Sequence, residues 1–183
     1  MRKVIALVAL VAVSVFTGQA GAALSASATL SSQQLGPNSW QYSLTLQNTG
    51  TTPIGTYWFG WVPLYDLLPS MPTNVNSPNG WSGTAAADYF GVGSAQWVNT
   101  ASPLQPGQSM SGFQFTSPDS PSAINGTSFY AGFPVEQSYV YIGGPETDSG
   151  FAFRTNTVAA PEPASLASAG LAGLLVLIRR KRS

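Results

Sequence analysis

Between residues 40 and 47 the chain alternates without a break: Trp40, Tyr42, Leu44 and Leu46 are apolar, and Gln41, Ser43, Thr45 and Gln47 are polar. A period of two places these sets on opposite faces of an extended strand, whereas a helix would smear both around its circumference. Asn48-Thr49-Gly50 follows and supplies turn chemistry, because Asn and Gly tolerate positive φ. The next apolar segment, residues 55–63, carries Tyr57, Phe59 and Trp61 on one parity and Trp58 and Val62 on the other. Aromatics on both faces predict a central strand, ended by Pro63. Further strands are predicted over 24–30, 95–99, 110–116, 128–133, 138–142 and 150–157, and a long loop over 67–83. Nineteen glycines and fourteen prolines punctuate these runs, and no span outside the two ends keeps a helical period. Eight or so short strands parted by turn residues predict an all-β fold, an antiparallel β-sandwich over residues 24–157.

Charge narrows the function. Only 8 % of the chain is charged, against roughly 25 % in an average globular protein. Between Leu24 and Ala160, Arg154 is the sole basic residue, beside Asp66, Asp88, Asp119, Glu136, Glu146 and Asp148, a net −5. Such a body lacks the cationic footprint of a nucleic-acid-binding protein, so no nucleic-acid partner is expected. The chain has neither Cys nor His, which removes disulfides, thiolate metal sites and the commonest general base. No metal and no cofactor are expected.

Both ends read as processing signals. Arg2 and Lys3 precede an apolar run from Val4 to Phe16, then a small-residue segment with an Ala20-x-Ala22 pattern. That is the layout of a secretory signal peptide over residues 1–23, with cleavage after Ala22 or Ala23 by signal peptidase. At the other end, over residues 158–183, Pro161-Glu162-Pro163 leads into the apolar stretch Ala164 to Ile178 and the basic cluster Arg179, Arg180, Lys181 and Arg182. Fifteen residues of helix span about 22 Å at roughly 1.5 Å each, short of a bilayer core of about 30 Å. The basic cluster would stop transfer and stay cytoplasmic. The prolines keep Glu162 in extended backbone. This segment is a better label than anchor, holding a precursor in the inner membrane by a single hydrophobic helix.

The order triplet, apolar helix, basic cluster resembles a PEP-CTERM sorting signal. The resemblance implies processing by exosortase, an integral-membrane cysteine peptidase or transpeptidase, in a bacterium with an outer membrane, and display or release at the cell surface or into an exopolysaccharide matrix. Two turns, Gln47-Asn48-Thr49-Gly50 and Leu104-Gln105-Pro106-Gly107-Gln108-Ser109, are similar to turns of bacterial immunoglobulin-like domains, so an immunoglobulin-like sandwich is expected. The body also looks like a domain of other PEP-CTERM proteins, on Asn48-Thr49-Gly50, Phe59-Gly60-Trp61-Val62-Pro63, Gly80-Trp81, Gln96-Trp97 and Ser111-Gly112-Phe113. That likeness implies no activity.

Four kinds of chemistry are worth weighing. Six carboxylates invite a glycoside-hydrolase reading, which needs two about 5 to 10 Å apart. Glu136 is the best single candidate, but Asp66, Asp119 and Asp148 stand where turns are expected. Glu146-Thr147-Asp148 offers oxygens for calcium, without the calcium-loop spacing; an Asx-type turn is the simpler account. Asn125-Gly126-Thr127 fits a glycosylation sequon. Aromatic faces can stack on sugars; Trp58, Trp61, Trp81 and Trp97 are the candidates, with core packing the simpler role for most. Trp81, in a polar loop, is the one expected to be exposed and to touch a glycan. The sequence therefore favours a non-enzymatic envelope or matrix protein with a structural or adhesive role, then a carbohydrate-binding module, and only remotely a hydrolase.

Overall fold

The computed structural model describes residues 22–130 and 132–158. In it, Tyr42, Leu44 and Leu46 are buried and the intervening polar residues point the other way, as their alternation requires. In chain order the elements are β1 (Ala26–Gly36), β2 (Ser39–Asn48), β3 (Thr56–Phe59), β4 (Trp61–Val62), β5 (Tyr65–Asp66), β6 (Thr73–Asn76), β7 (Ser82–Ala87), β8 (Gly93–Val98), β9 (Ser109–Ser117), the single-turn helix α1 (Pro121–Ile124), β10 (Gln137–Tyr141), β11 (Phe151–Arg154) and β12 (Asn156–Val158). Two five-stranded sheets face each other, ordered β12-β1-β2-β9-β6 and β11-β10-β3-β8-β7, with a small β4-β5 hairpin beside them. Every pairing is antiparallel except β1 with β12. The fold is therefore an all-β sandwich.

Aromatic side chains fill the space between the sheets. Phe59 meets Phe115 at 5.5 Å between centroids, and Tyr57 meets Phe113 edge-on at 5.5 Å while stacking on Trp97. All five are fully buried, and each such side chain contributes about 1.5–3 kcal/mol relative to exposure. Trp97 donates its Nε1 proton to the Asn76 carbonyl at 2.8 Å. The Asn48 turn forms as expected: its amide donates to the Thr52 and Leu104 carbonyls, and its Oδ1 accepts from Gly50 N.

Three strand expectations and one loop expectation are corrected. Residues 55–63 are not one strand, because Gly60 adopts φ +66° and splits β3 from β4. Trp61 therefore does not join Tyr57 and Phe59 inside. It folds back onto Trp58 on the outer face of the sheet, stacked at 4.5 Å, with its edge against Tyr139 and Tyr141. Residues 67–83 are not all loop: β6 pairs with β9 as an edge strand. The segment 150–157 breaks at Thr155, so that β11 lies in one sheet and β12 in the other. Residues 128–133 form no strand; Ser128 N bonds Phe133 O, closing the segment on itself, with Gly132 at φ +98°.

The sandwich has two poles. At one, Ala23 bonds Thr51 through both its N–H and its carbonyl. At the other lie the β4-β5 turn, the β7-β8 loop, and the connection from α1 into β10. Among the described residues no helix is long and apolar enough to cross a membrane. The signal-peptide core and the sorting motif Pro161, Glu162, Pro163 with Arg179 to Arg182 lie outside the described residues.

Candidate functional site

The second pole carries a run of six aromatic rings from three separate connections. Tyr89 meets Phe90 at 5.8 Å, Phe90 stacks on Phe129 at 5.4 Å, and Phe129 meets Tyr130 edge-on at 5.2 Å. Tyr130 then lies 4.6 Å from Tyr65, and Tyr65 lies 6.1 Å from Phe133. Tyr89, Phe90 and Phe129 are 98 %, 65 % and 64 % exposed, and Leu64 beside Tyr65 is 89 % exposed. Exposed aromatic rings grouped in this way make the pole a candidate interaction surface.

Local structure explains how the rings are presented. Pro63 and Leu64 form the two-residue turn between β4 and β5, and Leu64 takes φ +80°, where glycine is the usual residue. Asp88 caps the β7-β8 loop by accepting from Phe90 N at 2.8 Å. Ser120 caps α1, whose Ile124 is buried in the core and roots the connection bearing Phe129 and Tyr130. Asp119 fixes that connection from behind, accepting from Ser70 N and Oγ and from Ser117 Oγ. The Tyr42 hydroxyl donates to the Asp119 carbonyl at 2.6 Å.

Two carboxylates lie among the rings. The Tyr130 hydroxyl donates to Asp88 Oδ2, and this bond is the main reason its proton is held to about 12. Ser94 Oγ donates to Asp66 Oδ1 at 2.5 Å. Burial raises the Asp66 carboxyl above its ordinary value, the Ser94 bond opposes that, and the charge of Asp88 adds to it. Asp66 and Asp88 therefore sense each other.

The other sequence candidates are placed elsewhere. Trp81, expected to be exposed, is only 6 % exposed and packs edge-on against Phe113 at 5.2 Å. A Gly-Trp-Ser context looks like a loop, yet the large apolar ring is drawn into the core. Trp58, Trp61 and Trp97 are buried too. Glu136 is buried and bonded to Arg154, with Arg154 Nε at 2.7 Å from Oε1, so it serves the β10-β11 edge. Asp148 caps a turn with both oxygens, accepting from Ile142 N and Gly150 N. No group of three or more metal-ligating side chains occurs among the described residues. The ring run was missed because Phe129, Tyr130 and Phe133 read as strand residues by propensity, and only the fold brings them to Tyr65, Tyr89 and Phe90.

No protein-family model matches this chain, and no curated protein does. Similar solved structures include the unique CBM3- of Hungateiclostridium clariflavum, at 10 % identity and a TM-score of 0.43 over 73 % of this chain and 99 % of that one. Another is the chitin-binding domain of Chi18aC from Streptomyces coelicolor, at 24 % identity and a TM-score of 0.35 over 50 % of this chain and 78 % of that one. A third is the GH20 exo beta-N-acetylglucosaminidase from Vibrio harveyi, at 10 % identity and a TM-score of 0.39, where 75 % of this chain spans 19 % of the other. At these identities and scores the likenesses decide neither ligand nor chemistry.

Proposed function

We propose that this is an exported, non-enzymatic protein of the cell surface or exopolysaccharide matrix whose sandwich binds extended polysaccharide through its aromatic pole. The carrying observation is the run from Tyr89 through Phe90, Phe129, Tyr130 and Tyr65 to Phe133, with neighbouring centroids 4.6 to 6.1 Å apart. Ring faces stack on the apolar faces of pyranoses, and Asp66, Asp88 and the tyrosine hydroxyls offer hydrogen bonds to sugar hydroxyls. Consecutive rings suit a polymer better than a single sugar. Interplanar angles of 83° and 86° within the run make it a twisted surface. It therefore fits a hydrated, single chain and not the flat face of a crystalline one.

Export and sorting rest on the two end signals. In this reading, signal peptidase removes the first, and exosortase acts at Pro161-Glu162-Pro163 on a precursor held by residues 164–178. Two measurements test the reading. Affinity electrophoresis of the exported protein through soluble polysaccharides should show retardation that Phe90→Ala and Phe129→Ala both reduce; unchanged mobility in every polysaccharide would reject the binding role. Intact-mass measurement should show loss of the basic tail; a C-terminus still ending in Arg-Arg-Lys-Arg-Ser would reject the sorting role.

A further inference from the structure

We propose that the polysaccharide held at this pole is an amine-bearing hexosamine polymer, cationic along its length, recognised by Asp66 and Asp88 between the rings. The proposal rests on the polysaccharide-binding reading above and names the sugar class. The carboxylates and rings come from the same short segments: Tyr65 precedes Asp66, and Asp88 precedes Tyr89 and Phe90. Tyr130 joins the two groups, its ring tilted against Tyr65 while its hydroxyl donates to Asp88.

The balance of charge selects the ligand. Arg154 is the sole basic residue between Leu24 and Ala160, and its guanidinium is taken by Glu136. Among the described residues no cation neutralises Asp66 or Asp88; Ser94 Oγ donates to Asp66, and the Tyr130 hydroxyl and Phe90 N donate to Asp88. An acidic polysaccharide would bring like charge to this surface and be repelled. A neutral one gains ring stacking and ordinary hydrogen bonds. A ligand ammonium gains charge-assisted hydrogen bonds, about twice as strong as neutral ones, and attraction to the exposed ring faces.

Calorimetric titration of the exported protein with three oligomers of equal length tests this: glucosamine, N-acetylglucosamine and guluronate. The glucosamine oligomer should bind about tenfold tighter than the acetylated one at low salt, with the advantage shrinking as salt screens the charges. Guluronate should not bind. Asp88→Asn, which keeps both local hydrogen bonds possible, should remove most of the advantage. Glu146→Gln, an equal change in net charge at an exposed site distant in sequence from the rings, should leave it intact. Equal affinity for the two hexosamines, with both lost in Phe129→Ala, would overturn the amine selection and leave the aromatic site standing. Equal losses in Asp88→Asn and Glu146→Gln would reduce the effect to bulk charge and overturn it as well. Binding of none of the three would remove this inference, while retardation by another polysaccharide would still uphold the broader reading.

Discussion

Phe90 and Phe129 stack with ring centroids 5.4 Å apart and planes within 28°, although they belong to different connections and each stays about two-thirds exposed. Neither ring is needed for the core. Such a pair contributes about 0.5–1.5 kcal/mol beyond its burial, and exposed substitutions mostly change stability by within about 0.5 kcal/mol. Phe129→Ala should therefore cost no more than about 1.5 kcal/mol of stability, a fall of a few degrees in melting temperature. It should weaken polysaccharide retention several-fold, up to about tenfold if about 1.4 kcal/mol of contact is lost. A large fall in melting temperature without a binding loss would assign the stack a structural role instead.

Leu64 presents the opposite trade. It holds φ +80° in a turn where glycine carries no steric cost, and its side chain is 89 % exposed. The left-handed backbone costs an L residue roughly 1–2 kcal/mol, and burial recovers almost none of it here. Leu64→Gly should raise the melting temperature by about 2–4 °C while reducing polysaccharide binding, because an apolar contact next to Tyr65 is removed. Differential scanning calorimetry and affinity electrophoresis on the same samples check both halves.

Much of the core was legible because alternation is a local signal. Tyr42, Leu44 and Leu46 announce their own burial, and residue type alone marks the turns at Asn48 and at Leu104 to Ser109, where Gly107 takes φ +77°. What escaped was set by long-range packing. β7, Ser82–Ala87, is mostly Gly and Ala with weak strand preference, and it exists because β8 offers it a partner. Gly60 reads as one residue of a strand until its positive φ turns Trp61 onto Trp58. The pole escaped for a related reason: strand propensity scores Phe129, Tyr130 and Phe133 as sheet residues, whereas Gly132 and the Ser128–Phe133 closure turn them into a displayed loop.

Trp81 tests the same distinction by mutation. Its ring is buried against Phe113, so Trp81→Ala should destabilise the domain by about 3–5 kcal/mol as read by denaturant unfolding. Retention on polysaccharide, measured where the variant is still folded, should match the parent. Near-parental stability with lost binding would return Trp81 to the role its sequence context suggested.

The first pole carries a prediction about processing. Ala23 donates to Thr51 Oγ1 and accepts from Thr51 N, both at 2.8 Å, and a Cβ on Gly50 would lie 2.4 Å from the Ala23 carbonyl oxygen. Cleavage after Ala22 preserves this closure; cleavage after Ala23 deletes it. The mature N-terminus should be Ala23 by terminal sequencing, and Leu24 at that position would contradict the assignment.

Asp66 gives a pH dependence with a definite sign. Burial, opposed by Ser94 and reinforced by Asp88, raises its folded carboxyl above the ordinary value of 3.8. From pH 3.8 upward the unfolded chain has released this proton while the folded chain still holds it, so the folded state binds more protons and stability falls as pH rises. The loss is complete above the raised value and persists at neutral pH. Asn in its place can still accept from Ser94 but carries no charge, so Asp66→Asn should melt higher than the parent at pH 7. That difference should shrink as the pH is lowered toward 3.8, since both chains are then neutral at this position. A melting difference that is constant across this range, or that favours the parent at pH 7, would show that ionised Asp66 does not oppose folding.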